Sequence, residues 1–114
     1  MAIAVGIDLI EIERVERALE RRPKLADRLF TPGELAYARG RARPGRHLAA
    51  RFAAKEAVIK ALGRGLPPRE IEVVSGEPPQ LRLHGRAAEA AGDAEIAISL
   101  THSRETAAAV AIAS

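Results

Sequence analysis

The N-terminal part of the chain passes from a continuous apolar run to a helical pattern. β-Branched and apolar residues dominate positions 1–7, which predicts a short buried strand that ends at Asp8. From Glu11 to Arg22, apolar residues recur every three or four positions, as they do on one side of a helix. The apolar positions of this predicted helix are Ile12, Val15 and Leu19.

The charges of this first helix also follow its period. One row is acidic and consists of Glu13, Glu16 and Glu20, and the other is basic and consists of Arg14, Arg17 and Arg21. We therefore expect a helix with a buried, an acidic and a basic edge.

Two further helices are predicted in the middle of the chain. Thr31-Pro32-Gly33-Glu34 combines a capping hydroxyl, a proline at the first helical position and a glutamate three residues after the cap, and predicts a short helix through Arg39. Residues 40–46 contain two glycines, one proline and three arginines, and predict a mobile basic loop. An alanine-rich helix over 47–62, with Gly63 as its C-terminal cap, is the longest predicted element.

The second half of the chain has the pattern of short strands. Segments 70–75 and 80–83 are predicted strands joined by a hairpin turn at 76–79, a small helix follows over 86–91, and 95–100 and 106–112 are two more strands. Helices inserted among antiparallel strands indicate an α+β fold, with an antiparallel sheet packed on the long helix. At 114 residues we expect a single domain over 1–114.

Composition and charge exclude several classes of chemistry. The chain has no cysteine, so it has neither a disulfide nor a thiolate ligand or nucleophile. Positions 1–8 do not have the pattern of a signal peptide, and no apolar run approaches the ~20 residues of a membrane span, so we expect a soluble, cytoplasmic protein. A net charge of +3 favours an anionic partner.

Asp8 is the first candidate for chemistry. It lies in the apolar run Val5-Gly6-Ile7-Asp8-Leu9-Ile10, where burying an unpaired carboxylate costs several kcal/mol. Either a metal or a cationic group compensates it, or it caps the helix that starts near Ile10 or Glu11.

The long helix carries a second candidate pair. Phe52, Glu56 and Lys60 follow each other at four-residue spacing and share one face. An exposed glutamate–lysine pair is the ordinary explanation of this spacing. The apolar neighbours Val58, Ile59 and Leu62 predict that much of this helix is buried, which weakens the explanation of Glu56 and Lys60 as an exposed pair.

The third candidate is the hydroxyl-rich segment Ser99-Leu100-Thr101-His102-Ser103, at the end of a predicted strand. Its hydroxyls and imidazole suit the binding of phosphate or ribose, although a hydrogen-bonded turn explains them equally well. A hydrolase triad of Asp8, His102 and a serine is disfavoured, because no Gly-x-Ser-x-Gly elbow is present. Gly63-Arg64-Gly65 matches neither phosphate-binding glycine motif.

The order and spacing of these segments resemble a known family. The matching segments are 6–14, Leu29-Phe30-Thr31 with Glu34, 50–57 with Lys60, Gly63 and Gly65, and 99–103. Together they are similar to the bacterial holo-acyl-carrier-protein synthases, the short trimeric branch of the 4′-phosphopantetheinyl transferase superfamily. The resemblance covers nearly the whole chain.

The resemblance implies a reaction and a set of reacting residues. The phosphopantetheine arm of coenzyme A passes to a serine of an apo acyl carrier protein, releasing adenosine 3′,5′-bisphosphate, in support of fatty acid biosynthesis. Asp8 and Glu56 are implied to ligate Mg²⁺, which prefers a few carboxylates together with phosphate oxygens and water. Glu56, directly or through a metal-bound water, is the implied base, and Lys60 stabilises the departing nucleotide.

The resemblance also implies which residues bind coenzyme A and the carrier protein. The implied coenzyme A contacts are Arg51, Lys60, Gly63, His102 and Ser103, with Arg43 and Arg46 near the 3′-phosphate. The implied contacts to the acidic carrier protein are Arg14, Arg21, Lys24 and Arg28, with Arg17 on the same helix edge. Arg64 and the turn Glu77-Pro78-Pro79 depart from the family's usual residues and put the local coenzyme contacts in doubt.

Two other functions are compatible with the sequence. A nucleic-acid-binding module would account for the basic loop, but only three aromatic residues are available for base stacking. A metal-independent interaction domain would leave Asp8, Glu56 and Lys60 as ordinary capping and surface groups.

Overall fold

The computed structural model describes residues 2–114, so Met1, which the predicted first strand includes, lies outside the described residues. The strands are β1 (Ala4–Glu11), β2 (Ile71–Val74), β3 (Gln80–Leu83), β4 (Ile96–His102) and β5 (Thr106–Ala113). The helices are α1 (Ile12–Arg21), α2 (Leu25–Leu29), α3 (Pro32–Arg39), α4 (Pro44–Leu62) and α5 (Gly85–Ala91). A 3-10 turn, Pro68–Glu70, precedes β2. Within 2–114 no helix has the length and hydropathy needed to cross a bilayer.

The strands form two antiparallel sheets around α4. A three-stranded sheet has the order β1-β5-β4, and β2 pairs with β3 in a separate hairpin. Helix α4 packs against β1, β5 and β4 and also reaches β2. The predicted α+β class is confirmed, although the strands form two sheets and not one.

Strand β1 lies unusually close to α4. A side-chain carbon built on Gly6 would be 1.8 Å from the carbonyl oxygen of Ala57, which leaves no room for any residue larger than glycine. Ala53, Ala54 and Ala57 are fully buried on the same helix. Small residues on both elements therefore allow the strand and helix backbones to touch.

A buried ion pair fixes the position of α4. Lys55 Nζ donates to Glu34 Oε1 at 2.7 Å and to the carbonyl oxygens of Pro68 and Ile71 at 2.9 and 2.8 Å. Both side chains are fully buried, and Glu34 also accepts the backbone N–H of Val73 at 2.8 Å. Burial lowers the pKa of Lys55 from its ordinary value, against the attraction of Glu34. This network joins α3, α4 and β2.

Several predicted boundaries are confirmed and others are wrong. The capping box of Thr31 and Glu34, the end of α3 at Arg39, strand β3 and the left-handed cap at Gly63 all agree with the prediction. Strand β1 does not end at Asp8, because its pairing with β5 continues to Glu11. The expected loop over 40–46 is shorter, since α4 begins at Pro44, and the five-residue helix α2 was not predicted.

The three-stranded sheet has one uncovered apolar face. Alternate residues of β1 point away from α4 and are more than half exposed; they are Val5 at 60%, Ile7 at 67% and Leu9 at 72%. Ile112 of β5 pairs with Val5 and is 43% exposed. The predicted burial of the first strand is therefore correct for one face only.

We predict that Gly6→Ala destabilises the fold strongly, because the added methyl group overlaps a backbone oxygen that cannot move alone. The expected loss in the free energy of unfolding is about 3 kcal/mol, the upper end of overpacking. Urea unfolding measures it. Gly65→Ala is the matched control, because nothing lies within 4 Å of the added carbon. Equal stability of the two variants would contradict the close packing of β1 on α4.

Candidate functional site

Asp8 lies on the face of β1 that is turned toward α4. Its side chain is 19% exposed, and Lys60 Nζ donates to its Oδ1 at 3.0 Å. The same ammonium donates to the carbonyl oxygen of Ile7 at 2.9 Å. Asp8 does not cap a helix, because it is paired within β1 and α1 starts four residues later. A cationic group therefore compensates the carboxylate.

Glu56, on α4, lies next to Asp8 of β1. Burial first, and then the negative charge of Asp8, raises the pKa of the Glu56 carboxyl above its ordinary value, while Lys60 acts in the opposite direction. Glu56 and Lys60 do not form an exposed surface pair. The Lys60 ammonium binds Asp8, and Glu56 is partly buried. The structure thus brings together two carboxylates and one ammonium from residues far apart in sequence.

The donor set at this place suits a hard divalent cation. Within residues 2–114 no group of three or more acidic, histidine or cysteine side chains could hold a metal. Burial and then the neighbouring charge of Asp8 raise the pKa of Glu56, and a cation between the two carboxylates stabilises their charged forms. Mg²⁺ is commonly held by one or two carboxylates while substrate phosphates and water complete its shell. Asp8 and Glu56 therefore fit Mg²⁺ as two protein ligands, with the remaining ligands supplied by the substrate and water.

A second cluster surrounds Arg51, which is only 6% exposed. Its guanidinium carbon is 4.0 Å from the centre of the Tyr37 ring, its Nε has no hydrogen-bond partner, and no carboxylate of residues 2–114 forms an ion pair with it. Arg51 lines a cavity of about 220 Å³ together with Tyr37, His47 and His102. A buried cation without an anion makes this cavity a candidate anion site.

The two clusters lie on different sides of α4. Arg51 and Glu56 are five residues apart, which is about 140° around a helix of 3.6 residues per turn. Asp8 is on β1 and His102 on β4, the two edges of the three-stranded sheet, and strands spaced about 4.8 Å apart separate them by roughly 10 Å. One chain therefore brings the predicted reacting residues together but does not place the predicted coenzyme A contacts Arg51 and His102 in the same cleft.

Ser103 and Gly63 are held by local structure. The Ser103 hydroxyl lies 3.3 Å from the backbone N–H of Thr106 and 3.4 Å from its carbonyl oxygen, in the turn between β4 and β5. Gly63 has a φ of 74° and its N–H closes the end of α4. Both residues remain exposed at element ends, where a ligand can reach them.

The basic loop before α4 is anchored through Arg43, while its mobility stays a prediction. Arg43 donates to Glu16 with two nitrogens, both at 3.1 Å, and to the carbonyl oxygen of Arg104 at 2.6 Å. These contacts tie the loop to α1 and to the β4–β5 turn. Arg46 lies in the first turn of α4, where its Nε is buried without a partner.

An apolar groove runs beside the basic edge of α1. Arg14 borders the groove, while Arg17 is paired with Glu13. The groove has a volume of about 320 Å³ and is lined mainly by Leu9, Ile10, Val15, Ala18, Leu19, Leu25, Leu29 and Phe52. Arg21 ends α1, and Lys24 and Arg28 are exposed at α2. Phe52 lies one turn before Glu56, so the groove leads toward the carboxylates.

Sequence reasoning missed Tyr37 and His47 in the second cluster. The His47 ring centre is 5.8 Å from both the Tyr37 and the His102 ring centres. The spacing of His47 and Arg51, four residues apart on a predicted helix, was the available signal. Their approach to β4 depends on tertiary packing.

Comparison with known proteins decides the family. The model of the 4′-phosphopantetheinyl transferase superfamily matches residues 4–112. The chain belongs to this superfamily. A holo-acyl-carrier-protein synthase of Moorella thermoacetica is 51% identical over 118 residues, which cover 96% of this chain and 92% of the relative.

Solved structures of the superfamily have the same fold. The acyl carrier protein synthase of Mycobacterium tuberculosis is 43% identical, with a TM-score of 0.83 and coverage of 99% of this chain and 98% of that one. A complex of the Chronobacterium ammoniagenes synthase with coenzyme A gives a TM-score of 0.86 at 33% identity, covering 99% and 97%. The resemblance seen in the sequence is confirmed.

We predict that metal-free Glu56→Gln is more stable than the parent chain at neutral pH. The pKa of Glu56 is raised on folding, so its contribution to stability is full below the unfolded-state pKa and is lost as the pH rises through the folded-state pKa. The free energy of unfolding of the variant, relative to the parent, should therefore increase between about pH 4 and about pH 7.

Chemical denaturation in the presence of a chelator measures this difference. Glu89→Gln, at an exposed position of α5, is the control and should show no such pH-dependent gain. A Glu56→Gln variant that loses stability relative to the parent as the pH rises would show that Glu56 is not held beside a like charge.

Proposed function

We propose that this protein transfers the 4′-phosphopantetheine group of coenzyme A to a serine of an apo acyl carrier protein, releasing adenosine 3′,5′-bisphosphate. The observation that carries the proposal is the meeting of Asp8 and Glu56 beside Lys60, in a chain of the phosphopantetheinyl transferase superfamily. The named relatives are holo-acyl-carrier-protein synthases, and one solved neighbour is a complex with coenzyme A. We place the reaction in the cytoplasm and in the supply of carrier protein for fatty acid biosynthesis.

Asp8 and Glu56 would hold Mg²⁺ between β1 and α4. Bound there, the ion supplies charge neutralisation and orientation for the diphosphate of coenzyme A. The family resemblance implies that Glu56 serves as the general base of the reaction. Glu56 is therefore the group we assign to the proton of the attacking serine, directly or through a water.

Lys60 is assigned to the departing nucleotide. Its ammonium is 54% exposed, although it bridges Asp8 and the Ile7 carbonyl oxygen. If Asp8 binds the metal, the Lys60 ammonium no longer pairs with Asp8. Lys60 lies one helical turn after Glu56 and is then available to bind the leaving phosphate oxygen. The pairing with Asp8 thus keeps Lys60 in place before the substrates bind.

The cavity around Arg51 and His102 is assigned to the nucleotide end of coenzyme A. Arg51 is a buried cation without a carboxylate, and a phosphate group supplies the missing charge. Arg46, in the first turn of α4, has a second buried side-chain nitrogen without a partner. Gly63 and Ser103 are kept as backbone and hydroxyl contacts at the edges of the substrate path.

We propose a homotrimer in which each complete site is shared by two subunits. The exposed apolar side chains on the outer face of β1 and β5 form a contiguous patch, and such patches are typical of protein interfaces. Asp8 and His102 lie at opposite edges of the sheet, so packing of neighbouring edges can join the acidic cluster of one subunit to the Arg51 cavity of the next. The trimer is the assembly that the family resemblance implies.

The carrier protein is proposed to dock on α1 and the groove beside it. Arg14, Arg21, Lys24 and Arg28 provide positive charge, and the groove accepts apolar side chains from an acidic helix of the carrier. Because the groove ends at Phe52, a carrier seated there presents its serine near Glu56.

We predict that wild-type protein, coenzyme A and Mg²⁺ add the mass of one phosphopantetheine group to an apo carrier protein. Asp8→Asn should lower kcat/KM at least about 100-fold, because one of two metal ligands is lost. Mass spectrometry of the carrier follows the reaction. Asp27→Asn, an exposed aspartate on α2, is the control. Absence of transfer by the wild type, shown to be folded, would refute the function, and full activity of Asp8→Asn would refute the metal site alone.

A mixing experiment tests the shared site. Asp8→Asn and Arg51→Ala, each inactive alone, should together regain roughly a quarter of the activity when their subunits exchange, because one interface in four then joins two intact halves. A mixture of Asp8→Asn with Glu56→Gln should regain nothing, since both lie in the same half. Complete failure of the first mixture, with exchange shown by native mass spectrometry, would mean that the halves do not combine across subunits.

Charge reversal tests the carrier surface. Arg14→Glu or Arg21→Glu should raise the KM for carrier protein about fivefold with a nearly constant kcat, and should weaken the inhibition by salt. Arg86→Glu, exposed on α5, changes the net charge equally and should leave this KM unchanged. Equal effects at Arg14 and Arg86 would point to net charge and remove α1 from the interface.

A further inference from the structure

His47 is a partly buried imidazole that the proposed reaction leaves without a role. It lies in the first turns of α4 and lines the cavity that Arg51 and His102 also line. Its ring meets the Tyr37 and His102 rings nearly edge-on, at interplanar angles of 79° and 78°. Its ring nitrogens form no hydrogen bond with any residue of 2–114.

The groups that face His47 are cations or uncharged rings. Arg46 and Arg51 come from α4, Arg41 from the preceding loop and His102 from β4. Tyr37 of α3 completes the wall, and its ring also contacts the Arg41 guanidinium at 4.3 Å. The hairpin of β2 and β3 contributes only uncharged residues to the cavity; they are Val73, Ser75, Gly76 and Pro79.

This environment disfavours a proton on His47. Burial first, and then the charges of Arg46, His102, Arg51 and Arg41, lowers the pKa of His47 below its ordinary value. The cavity therefore contains an imidazole that is kept neutral by a surplus of positive charge. An anion in the cavity cancels that surplus of positive charge and favours the protonated form of the His47 ring.

We propose that His47 is a proton-linked anion ligand, neutral when the cavity is empty and protonated when a phosphate monoester binds between Arg51 and His102. The inference rests on the proposed function only for the identity of the physiological anion, the nucleotide phosphate of coenzyme A. His47 adds a charge-assisted N–H donor when the anion is present. Binding therefore takes up a proton, and release of the nucleotide product returns it.

Two consequences follow for the ligand. The affinity of the cavity for the anion falls as the pH rises, because the protonated ring is lost at high pH. A nucleotide that lacks the phosphate monoester gains nothing from His47. His47 thereby favours phosphorylated over dephosphorylated donors, and does so more strongly in mildly acidic solution.

The direct test follows the ring protons of the three histidines by NMR during pH titration, with and without ligand. Inorganic sulfate is the first probe, because it does not titrate near neutrality, and adenosine 3′,5′-bisphosphate is the second. The midpoint of His47 should rise by about one pH unit or more with either probe. His84, which contacts Glu72 at 3.1 Å outside this cavity, is the internal control and should not move.

A variant separates His47 from its neighbours. For His47→Gln, binding of adenosine 3′,5′-bisphosphate should be about tenfold weaker than for the parent near pH 6 and within about twofold near pH 8.5. His84→Gln should bind as the parent does at both values. Calorimetry in buffers of different ionisation enthalpy should show less proton uptake for His47→Gln than for the parent chain.

The outcomes separate this inference from the proposed function. An unchanged His47 midpoint at saturating ligand, or an equal loss of affinity for His47→Gln at both pH values, overturns the inference while carrier modification stands. A raised midpoint with sulfate in a protein that does not modify any carrier supports the anion ligand and refutes the transferase function.

Discussion

The direct contact of β1 with α4 is the constraint on which the site depends. Gly6 allows the strand to approach the Ala57 carbonyl so closely that no side chain could fit between them. Two residues further along β1, Asp8 consequently faces the turn of α4 that carries Glu56 and Lys60. Burial and the neighbouring charge of Asp8, which together raise the pKa of Glu56, are results of this packing and make the site receptive to a cation.

The rotation of α4 about its own axis is fixed by the buried Lys55–Glu34 pair. Lys55 is adjacent to Glu56 in sequence, so holding its ammonium among three oxygens also determines where Glu56 points. Removing one partner of such a pair leaves an uncompensated buried charge and costs about 3–5 kcal/mol. The same rotation directs Arg51 and His47 toward β4. One long helix therefore carries two chemically different faces, one with Glu56 and Lys60 and one with Arg51 and His47.

Local patterns predicted the elements, while tertiary packing determined the site. The capping box at Thr31, strand β3 and the glycine cap of α4 depend on neighbouring residues, and all three were found from sequence. The extension of β1 past Asp8 depends on pairing with β5, more than 90 residues away, and the five-residue α2 is too short to show a period. The residues alone left Asp8 as a possible helix cap and Glu56 and Lys60 as a possible surface pair, and only the family resemblance assigned them to the reaction. The four-residue spacing of His47 and Arg51 could be read from the predicted helix. The approach of Tyr37 and His102 to this face of the helix has no signal in a single sequence.

The central claim is that Asp8 and Glu56 share one divalent ion. A crystal structure of the protein soaked with Mn²⁺ and coenzyme A, with anomalous data at the manganese edge, tests it most directly. We expect one anomalous peak bonded to a carboxylate oxygen of each residue and to a phosphate oxygen of the coenzyme, near the roughly 2.0–2.1 Å typical of Mg²⁺. A peak that contacts only one of the two carboxylates, or coenzyme A bound with its diphosphate remote from both, would show that Asp8 and Glu56 do not share a metal ion.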